Sequence, residues 1–363
     1  MFTDKGCSQC HRLRGIGSGT AGVDLARVRS GTGFFGLAAA MWNHLPEMAQ
    51  KGRELGVARP AFTPRELSNL LAFLFTAQYY DGTGDADVGM RLFADKNCAQ
   101  CHAVGGRGGA VGPALDGLKR ENSPVVLAAA MWNHGPRMTQ TMKAKGIDWP
   151  SFRGAEFTDL VAYIFTAGRD QDGETPQAVA GTADRGSRLF GELGCASCHP
   201  PNGKSAAAGP RLGTRTRPVS LTQFGGLMWN HSPAIWAAMR NRGMAIPQLT
   251  AQDMADLIAY LFTANYFDPS LDGVGRGRQL VSVKGCVGCH SIDHKGGKTA
   301  PDFTTSNVVG SAAGQVAAMW NHGRYMETEG RRRSINLPIL TGQELADIAT
   351  YLAGQGDGPP KRR

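Results

Sequence analysis

The 363-residue sequence contains no run of eighteen apolar residues, and it has no cysteine outside one short recurring motif. A helix needs about twenty mostly apolar residues to cross the hydrocarbon layer of a membrane. The chain also lacks a basic stripe with interleaved aromatic side chains, the pattern expected of a nucleic-acid-binding surface. The sequence therefore predicts a globular chain with no transmembrane segment and no nucleic-acid partner.

The eight cysteines all lie in four copies of the motif Cys-x-x-Cys-His. Two thiols at this spacing can form thioethers to the two vinyl groups of one haem, and the histidine that follows can bind the iron. For a single copy, a disulfide, a redox dithiol or half of a zinc site are alternatives, but four copies with a histidine after each favour haem. The sequence predicts four haem c groups, attached through Cys7, Cys10, Cys98, Cys101, Cys195, Cys198, Cys286 and Cys289, with His11, His102, His199 and His290 as proximal iron ligands.

The first cysteines of the four motifs are 91, 97 and 91 residues apart. Each haem therefore belongs to a repeat of roughly ninety residues, which is long enough for a small domain. Stretches rich in glycine and aspartate separate the repeats. They predict four domains, at residues 1–82, 83–176, 177–269 and 270–354, followed by a disordered tail at 355–363.

The start of the chain aligns with the middle of the later repeats. Arg91-Leu92-Phe93, Arg188-Leu189-Phe190 and Gln279-Leu280-Val281 precede the later motifs, and Met1-Phe2 matches the last two residues of each. We therefore expect the numbered chain to begin inside the first helix of its first domain, with a leader preceding it. Because haem is attached in this way outside the cytoplasm, the expected location is periplasmic or extracellular.

The formal net charge of +9 is balanced in large part by the predicted cofactors. Each haem adds about −1 when ferric and about −2 when ferrous, which leaves roughly +1 to +5 for the whole protein. Lys and Arg are therefore expected to be solvated, although they could also attract an acidic redox partner.

Every repeat has the same predicted order of elements: a short helix, the haem motif, a loop, a middle helix, a second loop ending in proline, and a last amphipathic helix. The first loop, residues 105–109 in repeat two, has too much glycine for regular structure. Thr63-Pro64-Arg65-Glu66 is typical of a helix N-terminus and opens the last helix of repeat one. An aromatic residue in each last helix is expected to pack on the first helix: Phe73, Tyr163, Tyr260 and Tyr351.

A proline stands eleven residues after the motif histidine in repeats two to four, as at Gly112-Pro113. Its carbonyl can accept the second ring proton of that histidine and so fix the tautomer. Repeat one has a one-residue insertion and carries Gly22-Val23 at this place, and the Val23 carbonyl can serve the same purpose. With the haem motif and a last helix such as 159–163, this arrangement resembles class I cytochrome c domains. The resemblance implies an all-α fold of three to five helices around a mostly buried haem that carries one electron.

The repeats depart from that family at the sixth iron ligand. Class I domains usually supply a methionine about sixteen residues before the aromatic of the last helix. That position holds Val57, Ile147, Met244 and Ile335, so only repeat three has a sulfur there. The middle helices instead share a Met-Trp-Asn-His block, here called the MWNH block, which begins at Met41, Met131, Met228 and Met319.

Three sets of residues are candidates for the sixth ligand. The block histidines, His44, His134, His231 and His322, are present in every repeat. A methionine four residues later is present as Met48, Met138 and Met326, and the repeat that lacks it is the one with Met244. This complementation favours methionine, and the first methionine of each block is the third option. In the block, Met41, His44 and Met48 have i, i+3, i+7 spacing, so a helix that continues through Pro46 would turn all three toward the haem.

The other block residues are expected to complete the distal pocket. A buried Trp N–H can bond a haem propionate, and an Asn amide can donate to the ligand sulfur. The predicted pocket residues are Trp42, Trp132, Trp229, Trp320, Asn43, Asn133, Asn230 and Asn321.

Two functions follow from these assignments. With both axial positions filled, the chain is an electron relay that serves other redox proteins or a membrane electron-transfer complex, alone, as a homo-oligomer or within a conductive assembly. The alternative is a haem enzyme, a peroxidase or a small-molecule reductase, with one open haem. Repeat three, which lacks the methionine beside His231, is the candidate for that open site.

Overall fold

The computed structural model describes residues 1–13, 16–25, 33–77, 84–116, 123–166, 179–200, 209, 212, 221–264, 273–306 and 309–356. They form two compact units. One unit contains repeats one and four, and the other contains repeats two and three. The predicted boundaries at 82/83, 176/177 and 269/270 lie outside the described residues.

The described part of the chain is mostly helical, so the predicted all-α class is confirmed. The first helices are α4 (Ala86–Asp95), α7 (Ala183–Glu192) and α10 (Val274–Val283). The middle helices are α1 (Phe34–Asn43) with α2 (Leu45–Leu55), α5 (Pro124–Ala144), α8 (Leu221–Asn241) and α11 (Ala312–Arg332). The last helices are α3 (Pro64–Ala77), α6 (Glu156–Thr166), α9 (Ala251–Thr263) and α12 (Gly342–Gly356). Helix α12 continues two residues into the tail that was expected to be disordered.

The glycine-rich loops of repeats two and four contain regular structure, contrary to expectation. Strand β1 (Ala103–Val104) pairs antiparallel with β2 (Arg107–Gly108), and β3 (Ser291–Ile292) pairs with β4 (Lys295–Gly296). Gly105 and Gly106 form the first turn with φ of 58° and 72°. Two residues with positive φ are what a tight hairpin turn requires, so the glycines close the hairpin rather than prevent it.

The last helix of repeat one begins with the predicted capping box. Thr63 Oγ1 accepts from Glu66 N at 3.2 Å, and Glu66 Oε2 accepts from Thr63 N at 2.9 Å. Lys5, two residues before the haem motif, forms an ion pair with Glu66 at 2.8 Å. The hydrogen bond from Lys5 lowers the pKa of Glu66 from 4.5 to about 2. Lys96–Glu156 and Lys284–Glu344 repeat this ion pair, which ties the start of the haem motif to the last helix.

The first helix crosses the last helix where a glycine allows the two backbones to touch. A Cβ added at Gly89 or Gly186 would overlap the carbonyl oxygen of Asp159 or Asp256. The predicted aromatic contacts at this crossing are confirmed: Phe93–Tyr163 at 5.6 Å, Phe190–Tyr260 at 5.3 Å and Phe2–Phe73 at 6.0 Å between ring centroids, with Tyr351 beside Gly277.

Gly186→Ala is expected to lower the free energy of unfolding by about 1–3 kcal/mol, because the added methyl group forces α7 away from α9. Gly191→Ala is the matched control on the same helix, since a Cβ there meets no atom within 4 Å. Chemical denaturation of the two variants measures the difference. Equal stabilities would contradict the close crossing.

The middle helices continue through their prolines in two repeats. Pro136 lies inside α5 and Pro233 inside α8, whereas in repeat one the helix is interrupted at His44, between α1 and α2. A proline donates no hydrogen bond to the carbonyl four residues earlier. In α8 that carbonyl oxygen, Trp229 O, accepts a hydrogen bond from Trp149 Nε1 at 3.3 Å. A side chain outside the helix thus replaces the missing donor.

Candidate haem sites

The four Cys-x-x-Cys-His motifs adopt one local conformation. The first three motif residues form a 3-10 turn in each repeat, at Cys7–Gln9, Cys98–Gln100, Cys195–Ser197 and Cys286–Gly288. The residue before each turn is left-handed, with φ of 79° at Gly6, 64° at Asn97, 79° at Gly194 and 80° at Gly285. All eight cysteines are half-buried, and none of them forms a disulfide. Burial raises the pKa of the Cys98 thiol to about 11. Because the 3-10 turn and the left-handed residue before it recur in every repeat, repeat one has the same attachment turn as the other three.

The proximal histidines are oriented by backbone carbonyls, as predicted. His102 Nδ1 lies 2.9 Å from Pro113 O, His290 Nδ1 lies 2.8 Å from Pro301 O, and His11 Nδ1 lies 3.0 Å from Val23 O. Because a carbonyl only accepts, Nδ1 carries the proton and Nε2 is left free to bind iron. Pro210, the corresponding residue of repeat three, lies outside the described residues.

In three repeats, a glycine leaves room for the imidazole ring of the motif histidine. A Cβ at Gly112 would lie 2.6 Å from His102 Nδ1, and one at Gly22 would lie 2.6 Å from His11 Nδ1. A Cβ at Gly209 would lie 3.0 Å from His199 Cε1. The 2.6 Å separations would force the ring or the chain to shift and the 3.0 Å separation is tight, so these glycines let the chain pass close to the ring. Repeat four has Ala300 at the corresponding position.

Repeat two contains a cavity of about 470 Å³ beside its motif. That volume lies within the range of ligand pockets, roughly 300–1,000 Å³. Both thiols and the proximal histidine reach it, and much of the remaining lining is apolar: Phe93, Val111, Leu115, Leu127, Ile147, Phe152, Leu160 and Ile164. Two thiols and an imidazole in an apolar cleft fit a covalently attached haem, since they supply its anchors, one iron ligand and a water-poor surrounding.

Candidates for the sixth ligand line the same cavity. Met131, His134 and Met138 all reach it, so they share one face of α5, as their spacing predicts. Met138 is half-buried and His134 is exposed, and the same difference holds between Met48 and His44. In repeat four, burial lowers the pKa of His290, and the nearby His322 lowers it further. The preference for Met48, Met138, Met244 and Met326 over the block histidines remains a prediction.

Met244 lies beside the third motif. Its methyl group contacts Gly194, the residue before Cys195. Val57 lies near Gly6 in repeat one, and Ile147, at the same position in repeat two, lines the haem cavity. The position named by the family resemblance therefore faces the haem motif. Burial lowers the pKa of His231, and the nearby His199 lowers it further.

The tryptophans of the MWNH blocks do not have the hydrogen-bond partners expected from sequence. Each is buried, between 5% and 8% exposed, and donates to a proline carbonyl of another repeat in its own unit. The bonds are Trp42 to Pro338 (2.8 Å), Trp320 to Pro60 (2.8 Å), Trp132 to Pro247 (2.8 Å) and Trp229 to Pro150 (2.7 Å). The predicted bond to a haem propionate is therefore replaced by a bond between repeats.

The asparagines of the blocks form a two-way bond with the same partner repeat. Asn133 donates to Leu249 O at 2.8 Å and accepts from Leu249 N at 2.8 Å. The remaining pairs are Asn230 with Phe152, Asn43 with Leu340 and Asn321 with Phe62. The backbone of the partner repeat takes the amide oxygen and one of the two N–H groups of the NH₂, so the predicted bond from the other N–H to a ligand sulfur stays a prediction. We call each Trp–Asn pair with its partner loop a clamp.

Sequence reasoning missed the loop residues that complete the clamps. Trp149 stacks on Trp229 with ring centroids 3.9 Å apart, and Arg59 lies over the Trp320 ring at 4.8 Å. Trp149 and Arg59 occupy corresponding positions, two residues after Ile147 and Val57. The only available signal was an aromatic or cationic side chain just before Pro150 and Pro60.

Among the described residues, no helix is long and apolar enough to cross a membrane, and no group of three or more His, Cys, Asp or Glu is placed to hold a metal ion. The sequence model of the family Cytochrome c matches residues 86–167, 183–265 and 274–355, which together exceed half of the chain. No curated protein and no solved structure matched the chain. Domains of this family carry covalently bound haem c and transfer electrons between redox partners. The chain therefore belongs to the cytochrome c family, as an electron-transfer haem protein with several domains.

Proposed function

We propose that the protein is a tetrahaem electron carrier that works outside the cytoplasm. The observation that carries this proposal is the attachment turn of repeat one, which the family match leaves out. Gly6, the turn Cys7–Gln9 and the His11–Val23 bond repeat the geometry of the matched repeats. A fourth haem is therefore supported by the same local structure that supports the other three.

The chain contributes anchoring, orientation and exclusion of water at each site. The thiols hold the ring, and the Pro or Val carbonyl keeps the histidine Nδ1 protonated so that Nε2 faces the iron. The apolar lining, such as Phe93 and Leu127 in repeat two, keeps the local dielectric low. When bound, each haem supplies an iron that alternates between the iron(III) and iron(II) states.

An electron carrier, rather than an enzyme, follows if the protein fills both axial positions of every iron. Each described pocket helix offers at least one thioether or imidazole, and repeat three offers both Met244 and His231. The family's usual location and the site of haem attachment support a periplasmic or extracellular setting. Other redox proteins, a membrane electron-transfer complex or further copies of the chain are the partners that such a carrier would serve.

Met244→Ala and His231→Ala separate the ligand hypotheses in repeat three. We expect Met244→Ala to change the ligand-field spectrum and lower the potential of one haem, because a thioether stabilises iron(II) more than its replacement does. His231→Ala should leave the coordination number unchanged. The opposite outcome, a five-coordinate haem in His231→Ala alone, would show that histidine is the ligand.

Redox-titrated low-temperature EPR of the intact protein tests the carrier function. Four low-spin signals, with little response of the reduced protein to carbon monoxide, are expected. A high-spin signal and rapid carbon monoxide binding at one haem would favour the enzyme alternative instead, with repeat three as its site.

A further inference from the structure

The cavity of repeat two receives side chains from two MWNH blocks. His134, from the block of repeat two itself, lines it. Trp229, from the block of repeat three, lines it as well, together with the thiols Cys98 and Cys101. The site of repeat two therefore receives a histidine from its own block and a tryptophan from the block of repeat three.

The clamp from repeat three also fixes one wall of this cavity. Trp229 Nε1 donates to Pro150 O, and Asn230 bonds both the carbonyl and the N–H of Phe152. Pro150 and Phe152 line the cavity of repeat two. Losing the Asn230 amide would leave the carbonyl and the N–H of Phe152 without these partners, which destabilises this wall of the cavity.

The reciprocal clamp acts on the loop that carries Met244. Trp132 and Asn133 of repeat two hold Pro247 and Leu249 of repeat three, three and five residues after Met244. The position of a candidate iron ligand in repeat three is thus set by residues of repeat two.

Repeats one and four have the same arrangement, although they stand at opposite ends of the sequence. Trp42 donates a hydrogen bond to Pro338 O in repeat four, and Trp320 donates one to Pro60 O in repeat one. The blocks meet around a small apolar gap lined by both tryptophans and by Met41 and Met319. The pairing is therefore a repeated design and does not depend on repeats being adjacent in the chain.

We propose that the Trp–Asn pair of each MWNH block is a positioning device for the haem of the paired repeat, so that the haems are coupled as two pairs, one with four and two with three. This inference rests on the proposed binding of haem by every repeat. Its consequence is that a change in the block of one repeat acts on the haem of its paired repeat.

Four variants of the holoprotein test the proposal in the unit with repeats two and three. Trp229→Phe and Asn230→Ala remove the clamp on repeat two, and Trp132→Phe and Asn133→Ala remove the clamp on repeat three. The readout is the set of haem methyl signals in the NMR spectrum of the oxidised protein, with each haem's midpoint potential. His102→Met and His199→Met, which each alter one proximal ligand, assign the signals to haems two and three.

A crossed pattern is expected. Trp229→Phe and Asn230→Ala should shift the signals and potential of haem two more than those of haem three, and the Trp132 and Asn133 variants should do the reverse. The Trp→Phe variants keep an aromatic ring in place. They therefore test the proposal even if an Asn→Ala variant fails to fold. In the other unit, Trp320→Phe should shift the NMR signals and the midpoint potential of haem one.

Two results would overturn the proposal. In one, each variant perturbs mainly the haem of its own repeat. In the other, the variants lower the unfolding temperature but leave all haem signals and potentials in place, which would reduce the clamps to a structural contact. Failure of the proposed function would look different, because haem signals of a repeat would then be missing from the unaltered protein.

Discussion

Trp236→Ala is expected to lower the free energy of unfolding of the unit formed by repeats two and three by about 3–5 kcal/mol. Trp236 is 1% exposed, and its ring fills the space opposite Gly135 on α5, where a Cβ would overlap it. Trp132 and Trp149 pack against it with ring centroids 5.7 Å away in both cases. Removing the indole leaves a cavity between two helices that cannot close without moving the clamps.

Trp236→Phe is the matched comparison for this prediction. Trp236 Nε1 has no hydrogen-bond partner among the described residues, so phenylalanine removes a polar group that gains nothing from burial. We expect a clearly smaller loss than with alanine. Denaturant unfolding followed by far-UV circular dichroism measures both, and an alanine variant as stable as the original protein would refute the packing argument.

The contact around Trp236 also explains why repeats two and three pair with each other. Gly135 leaves room for the indole, whereas in the other unit Gly323 leaves room for Leu45. A large side chain on one middle helix faces a glycine on its partner in both units, but the large residue differs in size and position. This difference disfavours exchange of partners between the units.

The double variant Cys7→Ala/Cys10→Ala is expected to reduce the haem content of the protein by one quarter. The variant removes both thiols that would anchor the proposed haem of repeat one. The same unit should also become less stable, since Phe2 and Leu13 pack in this small repeat at 5% and 0% exposure. Haem content per chain and thermal unfolding are the measurements.

Cys98→Ala/Cys101→Ala is the control, because the motif of repeat two lies within a segment matched by the Cytochrome c family. It too should lose one haem. If the control loses a haem while the repeat-one variant keeps the original content, then repeat one attaches no haem.

Local features of the haem sites were predictable from the sequence, because they depend on residues close together in the chain. The attachment turns, the carbonyl partner of His102 eleven residues on and the capping box at Thr63 all involve short separations. Helical periodicity likewise predicted the last helices and the shared face of Met131, His134 and Met138.

The pairing of repeats could not be predicted in this way. Trp42 and Pro338 are 296 residues apart, and nothing in either local sequence indicates that they meet. A buried tryptophan N–H needs an acceptor, and from the sequence alone the expected acceptor was a haem propionate. The structure supplies a proline carbonyl of another repeat, which accounts for the Trp N–H of each block without a haem propionate as its acceptor.

Intact mass spectrometry of the protein under denaturing conditions shows whether all four repeats carry haem. Thioether-linked haem stays on the chain when the protein unfolds, so the mass reports the number attached. We expect the mass of the polypeptide plus four haem groups. A homogeneous protein with three, its unmodified cysteines mapped to Cys7 and Cys10, would contradict it.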